Sequence, residues 1–266
     1  MDSQPQSPLA VGSHVFKSRL IFGSGGMRSI AALRIALANT QSELTTVAMR
    51  RYDPAASGRL FDVLREFNQQ ILPNTAGCYN ATEAVITAEL AREALETNLI
   101  KVEVINDDST LLPDPIETLK ATEVLTNKGF EVMAYISDDV VLARRIEQAG
   151  AKAVMPLGAP IGSGMGILNP FNIETIVNFA NVPIILDAGL GSASDAALAM
   201  ELGCDGVLAA SAINRAEDPA IMAEAFRLGV IAGHLSRRAG RIPKSTRAIA
   251  STAISGKAQF EVSSNN

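Results

Sequence analysis

"VPIILDAGLGSASDAALAMELGCDGVLAASAI", residues 182–213, contains a complete strand, loop, helix and strand in sequence. The opening apolar run has the length and branched side chains of a buried strand, and it ends in "DAG" at 187–189. The next segment, from Ala193, has helical spacing and stops at Gly203, because glycine readily adopts the left-handed conformation that ends many helices. A second apolar run starts at Gly206. The stretch therefore predicts one βαβ unit.

The same alternation recurs along the whole chain. Eight candidate strands begin at Ser18, Leu44, Gln70, Leu99, Phe130, Ala151, Val182 and Gly206. Helical segments lie between them, for example from Ala81 and from Asp138. Eight strand-helix units predict a single-domain (β/α)8 TIM barrel, whereas a doubly wound open sheet, the alternative, usually has fewer strands.

The domain boundaries follow from where the sequence turns polar. No linker rich in proline, glycine or serine divides the chain, so we expect one catalytic barrel domain over residues 11–255. Residues 1–10 and 256–266 are polar enough to be flexible ends.

Composition and charge exclude several functional classes. The hydrophobic fraction is 47% and the charged fraction 19%, which supports a large core and an ordinary protein surface. A net charge of -5 argues against general nucleic-acid binding. No stretch approaches the roughly 20 apolar residues of a membrane-spanning helix, and the N-terminus lacks a secretory signal pattern. We therefore expect no nucleic-acid or membrane partner and a cytoplasmic location.

The cysteines and histidines are too few and too scattered for a metal site. Cys78 and Cys204 are far apart, and His14 and His234 are the only histidines. Neither a zinc cluster nor a disulfide framework is indicated, so both cysteines are expected to be small buried hydrophobes. The sequence predicts no metal.

Two charged residues interrupt the fourth strand, "LIKVEVI", residues 99–105. Side chains of a barrel strand alternate between the helices and the lumen, so Lys101 and Glu103 should both face the lumen. They are either a mutually neutralising ion pair or a reactive lysine whose neutral amine forms a Schiff base. Strand lysines also hold phosphate or metal-bound carboxylates in barrels, and the residues alone leave these interpretations open.

The loops after the sixth, seventh and eighth strands are rich in small residues. These loops are "GAPIGSGMG" at 158–166, the segment from Asp187, and "LAASAI" at 208–213. Small residues let backbone N–H groups approach an anion, and a helix start near Ser192 would add its positive end, which favours a phosphate site. Asp187 is either an acid or base at the barrel mouth or a turn residue.

Several motifs in this order resemble the thiazole synthase family of thiamine biosynthesis. They are "IKVEVI", "LLPDP", "PIGSGMGILNP", "DAGLGSASDAALAMELGCDGV" and "AGRIP". The resemblance runs from "SRLIFGSG" to "AGRIP", which is most of the chain.

The resemblance implies a reaction and its partners. A (β/α)8 barrel of this family condenses 1-deoxy-D-xylulose 5-phosphate, dehydroglycine (2-iminoacetate) and sulfur into thiazole phosphate carboxylate through a lysine Schiff base. The sulfur comes from the thiocarboxylate of a ubiquitin-like sulfur-carrier protein, and another enzyme supplies the dehydroglycine. The resemblance also implies a homotetramer and no cofactor.

The family's site residues carry over by motif. Lys101 is then the Schiff-base lysine, and Glu103 and Asp187 are the acid/base carboxylates. The positions expected to bind the sugar phosphate are Gly162, Ala188, Gly189, Ala210 and Ser211. Ala210-Ser211 stands where Asn-Thr is common in the family, so one side-chain amide is missing.

Two other functions stay open at this point. One is an imine-forming, aldolase-like enzyme that acts on a different sugar phosphate. The other is a non-catalytic barrel that binds the sulfur carrier as a scaffold. The basic stretch "RRAGRIPKSTR", residues 237–247, is either a solvated terminus or a docking surface for an acidic partner.

Overall fold

The computed structural model describes residues 7–51 and 54–251, and eight parallel strands form its centre. These strands are β3 Leu20–Gly23, β4 Leu44–Ala48, β5 Gln70–Asn74, β6 Leu99–Val102, β7 Glu131–Ile136, β8 Ala153–Pro156, β9 Ile185–Asp187 and β10 Gly206–Ala209. They pair in the order β8-β7-β6-β5-β4-β3-β10-β9. Parallel bridges from Val154 to Ile184 and from Leu157 to Asp187 join β8 to β9 and close the barrel. The predicted (β/α)8 fold is confirmed.

Helices follow the strands and surround the barrel. They are α1 Ile30–Thr40, α2 Pro54–Glu66, α3 Ala81–Leu95, α4 Pro115–Asn127, α5 Val140–Gln148, α6 Pro170–Phe179, α7 Ala193–Leu202, α8 Ser211–Asn214 and α9 Pro219–Ala239. Several begin after an Asn or Asp whose side chain accepts from the first N–H groups, as Asn80 and Asp114 do. Gly150 and Gly203 follow α5 and α7 with φ of 94° and 106°, as expected of helix-ending glycines.

The barrel separates two apolar layers. Ile100, Val102 and Val104 belong to the large cluster between the strands and the helices. Leu99 belongs instead to a smaller cluster inside the barrel, together with Met133 and ten other residues. The predicted alternation along β6 is therefore correct, and it leaves Lys101 and Glu103 facing the lumen.

A short hairpin packs against one end of the lumen. Strands β1, Leu9–Val11, and β2, His14–Phe16, pair antiparallel and contribute apolar side chains to the inner cluster. Glu131, the first residue of β7, accepts from the Ser13 N–H at 2.8 Å and lies 2.9 Å from the His14 ring. Because strands start at this end, the hairpin lies opposite the carboxyl ends that carry sites in such barrels.

The hairpin begins inside the segment expected to be a flexible end. Residues 9 and 10 lie in β1, and Leu9 is buried because it fills the lumen entrance. Residues 1–6 and the predicted tail at 256–266 lie outside the described residues.

Cys78 and Cys204 are both buried and free, as predicted. Within residues 7–51 and 54–251, no helix has the length and hydropathy to cross a membrane.

Candidate active site

Lys101, Glu103 and Asp187 meet inside the barrel, near the carboxyl ends of the strands. The Lys101 Nζ lies 2.5 Å from Oδ2 of Asp187 and 3.4 Å from Oε2 of Glu103. All three residues are buried, with exposures of 4%, 7% and 4% for Lys101, Glu103 and Asp187. The structure thus brings together the three residues predicted as catalytic from separate parts of the sequence.

Backbone pairing fixes these side chains. Asn74 of β5 is the register partner of Lys101. The Thr75 hydroxyl accepts from the Glu103 N–H and donates to the Glu103 carbonyl, both at 2.8 Å, in place of a backbone ladder. Asp187 is the last residue of β9 and pairs with Leu208 of β10. The cluster is therefore held by strands and not by loops, which limits its freedom to move.

Two opposing effects set the pKa of the Lys101 amine. Burial lowers the pKa because the ammonium form loses hydration, whereas the charges and hydrogen bonds of Asp187 and Glu103 raise it. The carboxylates prevail, so the pKa lies above its ordinary value. Burial alone would favour the neutral amine, but the two carboxylates favour the ammonium form. The contact with Asp187 offers another way to the nucleophile, since an ammonium proton passed to that carboxylate leaves a neutral amine.

Tyr135 is a polar lumen residue that the sequence argument missed. Its side chain on β7 is fully buried, and the Lys101 Nζ lies 5.0 Å from the centre of its ring. Its hydroxyl has no hydrogen-bond partner in the described part of the chain. The alternation of side chains along β7 could have predicted that Tyr135 faces the lumen. Met133 pairs with Lys101, and Tyr135 lies two positions further along the strand, on the same face.

The predicted phosphate-binding residues follow neighbouring strands. Ala188 and Gly189 come directly after β9, and Ala210 and Ser211 come directly after β10, whose Leu208 pairs with Asp187. Within residues 7–51 and 54–251, the N–H groups of Gly189 and Ala210 donate no hydrogen bond, whereas the pairing of Asp187 with Leu208 uses the N–H of Ala188. Free N–H groups on two paired strand ends are suited to an anion.

The N–H groups just before α7 are bonded within the chain. Oδ2 of Asp195 accepts from the Gly191 N–H at 2.8 Å and from the Ser192 N–H at 3.0 Å. These two groups are therefore occupied by an acidic side chain of the same helix, and the positive end of α7 as an anion site stays a prediction.

The glycines in these loops allow close backbone packing. Gly189 has a φ of 77°, and a side chain there would lie 2.4 Å from the Ala159 nitrogen. Ala188 also has a left-handed φ of 65°, which costs about 1 kcal/mol for a residue with a Cβ. The backbone after Asp187 is thus held in a conformation that an unconstrained chain would avoid.

Gly162 lies beside an arginine that the sequence argument did not single out. A Cβ on Gly162 would lie 3.0 Å from Nη1 of Arg215. Arg215 forms no ion pair within residues 7–51 and 54–251, and it follows Ser211 by four positions, which is one helical turn. An unpaired guanidinium therefore connects the loop after β8 with the loop after β10.

The fold and this cluster define a class: a TIM-barrel protein with a buried lysine between two carboxylates and a small-residue rim. Residues 10–253 match the family model described as thiazole biosynthesis protein ThiG. The chain therefore belongs to the ThiG family of thiazole biosynthesis, and the resemblance found in the sequence is confirmed.

Solved structures give the same fold. One is the Amycolatopsis orientalis BexX/CysO complex, at a TM-score of 0.82 and 30% identity, covering 91% of this chain and all of that chain. A thiamine phosphate pyrophosphorylase from Pyrococcus furiosus matches at a TM-score of 0.55 and 16% identity, covering 79% of this chain and 94% of that one. A mandelate oxidase matches at a TM-score of 0.58 and 15% identity, covering 89% of this chain and 77% of that one. The last two share the barrel alone.

Proposed function

We propose that this protein is a thiazole synthase. It condenses 1-deoxy-D-xylulose 5-phosphate with dehydroglycine and with sulfur from the thiocarboxylate of a ubiquitin-like carrier protein. The observation that carries the proposal is the contact of the buried Lys101 amine with Asp187 and Glu103 in a chain of the ThiG family.

The first step uses the lysine and its closer carboxylate. Asp187 takes a proton from the Lys101 ammonium, and the neutral amine attacks the ketone carbon of the sugar. Loss of water gives a protonated imine, whose positive charge acidifies the neighbouring C–H bond. The strand pairing of β6 and β9 holds the nucleophile and the base in position for this step.

The later steps need proton transfers on the sugar. One carboxylate removes the proton next to the imine carbon, and a proton returned to the adjacent position moves the carbonyl along the chain. Thiocarboxylate sulfur then adds at the new carbonyl, and dehydroglycine closes the ring with loss of water. Glu103 and Asp187 both contact the Lys101 amine, so both carboxylates are within reach of the substrate carbon that bonds to this amine.

The phosphate is assigned to the rim. Free N–H groups of Gly189 and Ala210, together with the Ser211 hydroxyl and the backbone at Ala188 and Gly162, would bind its oxygens. The Arg215 guanidinium beside Gly162 would add the positive charge that the neutral Ala210-Ser211 pair does not supply.

The role of the rim is tested by Arg215→Gln. We expect the KM for the sugar phosphate to rise about tenfold with little change in kcat, because a phosphate contact kept throughout the reaction contributes uniform binding. Arg145→Gln, at an exposed position of the outer helix α5, is the matched control. An unchanged KM in Arg215→Gln would remove this residue from the proposal.

Two findings support a sulfur-carrier protein as a partner: the family match and one similar solved structure. That structure was solved as a BexX/CysO complex, so a protein of this fold binds a second protein. The other partners implied by the resemblance, including an enzyme that supplies dehydroglycine and further copies of this chain in a homotetramer, stay predictions.

The proposed function is tested by reconstitution. The protein is incubated with the sugar phosphate, a dehydroglycine-generating enzyme and carrier thiocarboxylate, and thiazole phosphate carboxylate is measured by mass spectrometry. Omission of each component, and carrier ending in a plain carboxylate, should abolish the product. Lys101→Arg should be inactive, whereas Lys120→Met, at an exposed lysine, should be fully active. Product formed without the thiocarboxylate, or by Lys101→Arg at the wild-type rate, would refute the proposal.

A further inference from the structure

The Tyr135 hydroxyl is a buried donor without a protein partner. The residue is 0% exposed, and its oxygen forms no hydrogen bond with residues 7–51 or 54–251. Native proteins rarely leave a buried hydroxyl unbonded, since the lost hydration is not replaced. Its partner is therefore expected to come from outside the chain, as a water molecule in the resting protein or as a substrate atom.

The position of this hydroxyl is specific. Lys101 Nζ lies 5.0 Å from the ring centre, and both Asp187 and Glu103 are close enough to affect the phenol electrostatically. The hydroxyl nevertheless donates to neither carboxylate. The amine lies over the phenol ring and the hydroxyl is not consumed by the ion cluster, so the hydroxyl stays available for a substrate atom that reaches this part of the lumen.

We propose that the Tyr135 hydroxyl is a catalytic hydrogen-bond donor to the ketone oxygen of the substrate while Lys101 forms its imine. This inference rests on the proposed function and deepens it. It assigns to Tyr135 the protonation of the ketone oxygen during the attack, while Asp187 keeps the Lys101 proton for the loss of water.

The proton balance shows why that role is needed. When the neutral amine attacks, a C–N bond forms and the carbonyl electron pair moves to oxygen. Tyr135 gives its proton to that oxygen and recovers one from the newly bonded nitrogen, which leaves a neutral carbinolamine. The protonated Asp187 then gives its proton to the hydroxyl, the C–O bond breaks with release of water, and the nitrogen lone pair forms the C=N bond. The net reaction converts ammonium and ketone into iminium and water, and both side chains are regenerated.

Tyr135 is chemically suited to this step. Burial, with further contributions from Asp187 and Glu103, raises the pKa of its phenol, so the hydroxyl stays protonated at neutral pH. Ionised carboxylates accept hydrogen bonds but cannot donate them, and Lys101 is consumed as the nucleophile. Asp187 is a donor only after it takes the Lys101 proton, whereas the phenol is a neutral donor from the start of the reaction.

The test is Tyr135→Phe, with Tyr79→Phe as the matched control. Tyr79 is 44% exposed, and its hydroxyl bonds Asp108, so it undergoes the same chemical change outside the lumen. The rate of imine formation is followed by borohydride trapping on Lys101 at saturating 1-deoxy-D-xylulose 5-phosphate. Tyr135→Phe should slow trapping about 100-fold, as expected for loss of a positioned proton donor. Sugar-phosphate affinity and Tm should not fall, and Tyr79→Phe should match the wild type.

Fluorotyrosines at Tyr135 provide a readout that a structural role would not affect. They keep the shape and the hydroxyl but make the phenol more acidic, so the trapping rate should change with phenol pKa. If Tyr135→Phe fails to fold, the fluorotyrosine proteins alone test whether the Tyr135 hydroxyl acts as a proton donor.

The outcomes separate this inference from the proposed function. A wild-type protein with no adduct on Lys101 would overturn both. If the wild type forms the Lys101 adduct and Tyr135→Phe forms it equally fast, only the role of Tyr135 is overturned. A trapping rate that does not respond to phenol acidity would do the same. A Tyr135→Phe defect that vanishes at saturating substrate would show a binding group and would also overturn it.

Discussion

Removal of the Lys101 charge should expose the cost of the two carboxylates that it neutralises. At an effective dielectric constant of about 20, the distances of 2.5 Å to Asp187 and 3.4 Å to Glu103 correspond to attractions of about 7 and about 5 kcal/mol. Desolvation of the three ions offsets most of this, so the cluster itself adds little net stability. Lys101→Met keeps the volume and removes the charge, which leaves two buried carboxylates without a cation.

The size of the effect follows from how those carboxylates respond. Each one can avoid burial as an ion by taking up a proton, which costs about 4 kcal/mol at pH 7 for a group with an ordinary pKa near 4. We therefore expect the free energy of unfolding of Lys101→Met to fall by about 3–5 kcal/mol at pH 7. The loss should shrink as the pH falls toward 4, because the carboxylates of the unfolded chain then become neutral as well.

Urea unfolding followed by circular dichroism at pH 7 and pH 4.5 measures both quantities. The triple variant Lys101→Met, Glu103→Gln, Asp187→Asn is the control, and its stability should return to within about 1 kcal/mol of the wild type, since no buried charge is left. Wild-type stability of Lys101→Met at pH 7, or a loss that does not depend on pH, would refute the argument that these carboxylates are ionised and desolvated.

Three further predictions concern the cluster and its surroundings. Asp187→Asn should lower the pKa of the Lys101 amine, so the pH dependence of adduct formation should move to lower pH, and an unchanged midpoint would count against the coupling. Gly189→Ala should reduce the unfolding free energy, measured in urea, by about 2–5 kcal/mol, because strain at positive φ adds to the clash of the new Cβ with the Ala159 backbone. Gly25→Ala, where an added Cβ has nothing within 4 Å, should be neutral, and equal effects of the two changes would contradict this. Hydrogen bonds from Ser109 and Thr110 hold the pKa of Asp107 at about 2, so the stability that Asp107 contributes should be present above pH 4 and lost as the pH falls toward 2. In acid unfolding, the stability of Asp107→Asn should therefore approach that of the wild type as the pH falls toward 2. A stability difference that stays constant with pH would refute this.

The barrel could be predicted from the sequence because its signal is local and repeated. Each strand is a short apolar run followed by small or polar residues and a helical segment, and the eight runs correspond to β3 to β10. The hairpin at the N-terminus was missed since "LAV" and "HVF" are only three residues each. Strands so short are stabilised by contacts with the lumen, such as those of Glu131, which no local pattern reveals.

The site was predictable where it depended on one strand and on family motifs. Alternation in "LIKVEVI" was sufficient to place Lys101 and Glu103 on one face. The raised amine pKa depends on the approach of Asp187, which is 86 positions away in the sequence and meets Lys101 only in the closed barrel. The bonds from the Gly191 and Ser192 N–H groups to Asp195 were also not predictable, because they depend on the rotamer of the Asp195 side chain.

The central claim is that Lys101 forms an imine with a sugar-phosphate ketone. The most direct measurement is intact and peptide mass spectrometry after the protein is mixed with 1-deoxy-D-xylulose 5-phosphate and borohydride. The account predicts one reduced adduct per chain, on the peptide that contains Lys101, and none when the sugar phosphate is omitted. A folded protein without an adduct, or an adduct on exposed lysines such as Lys120 in place of Lys101, would contradict it.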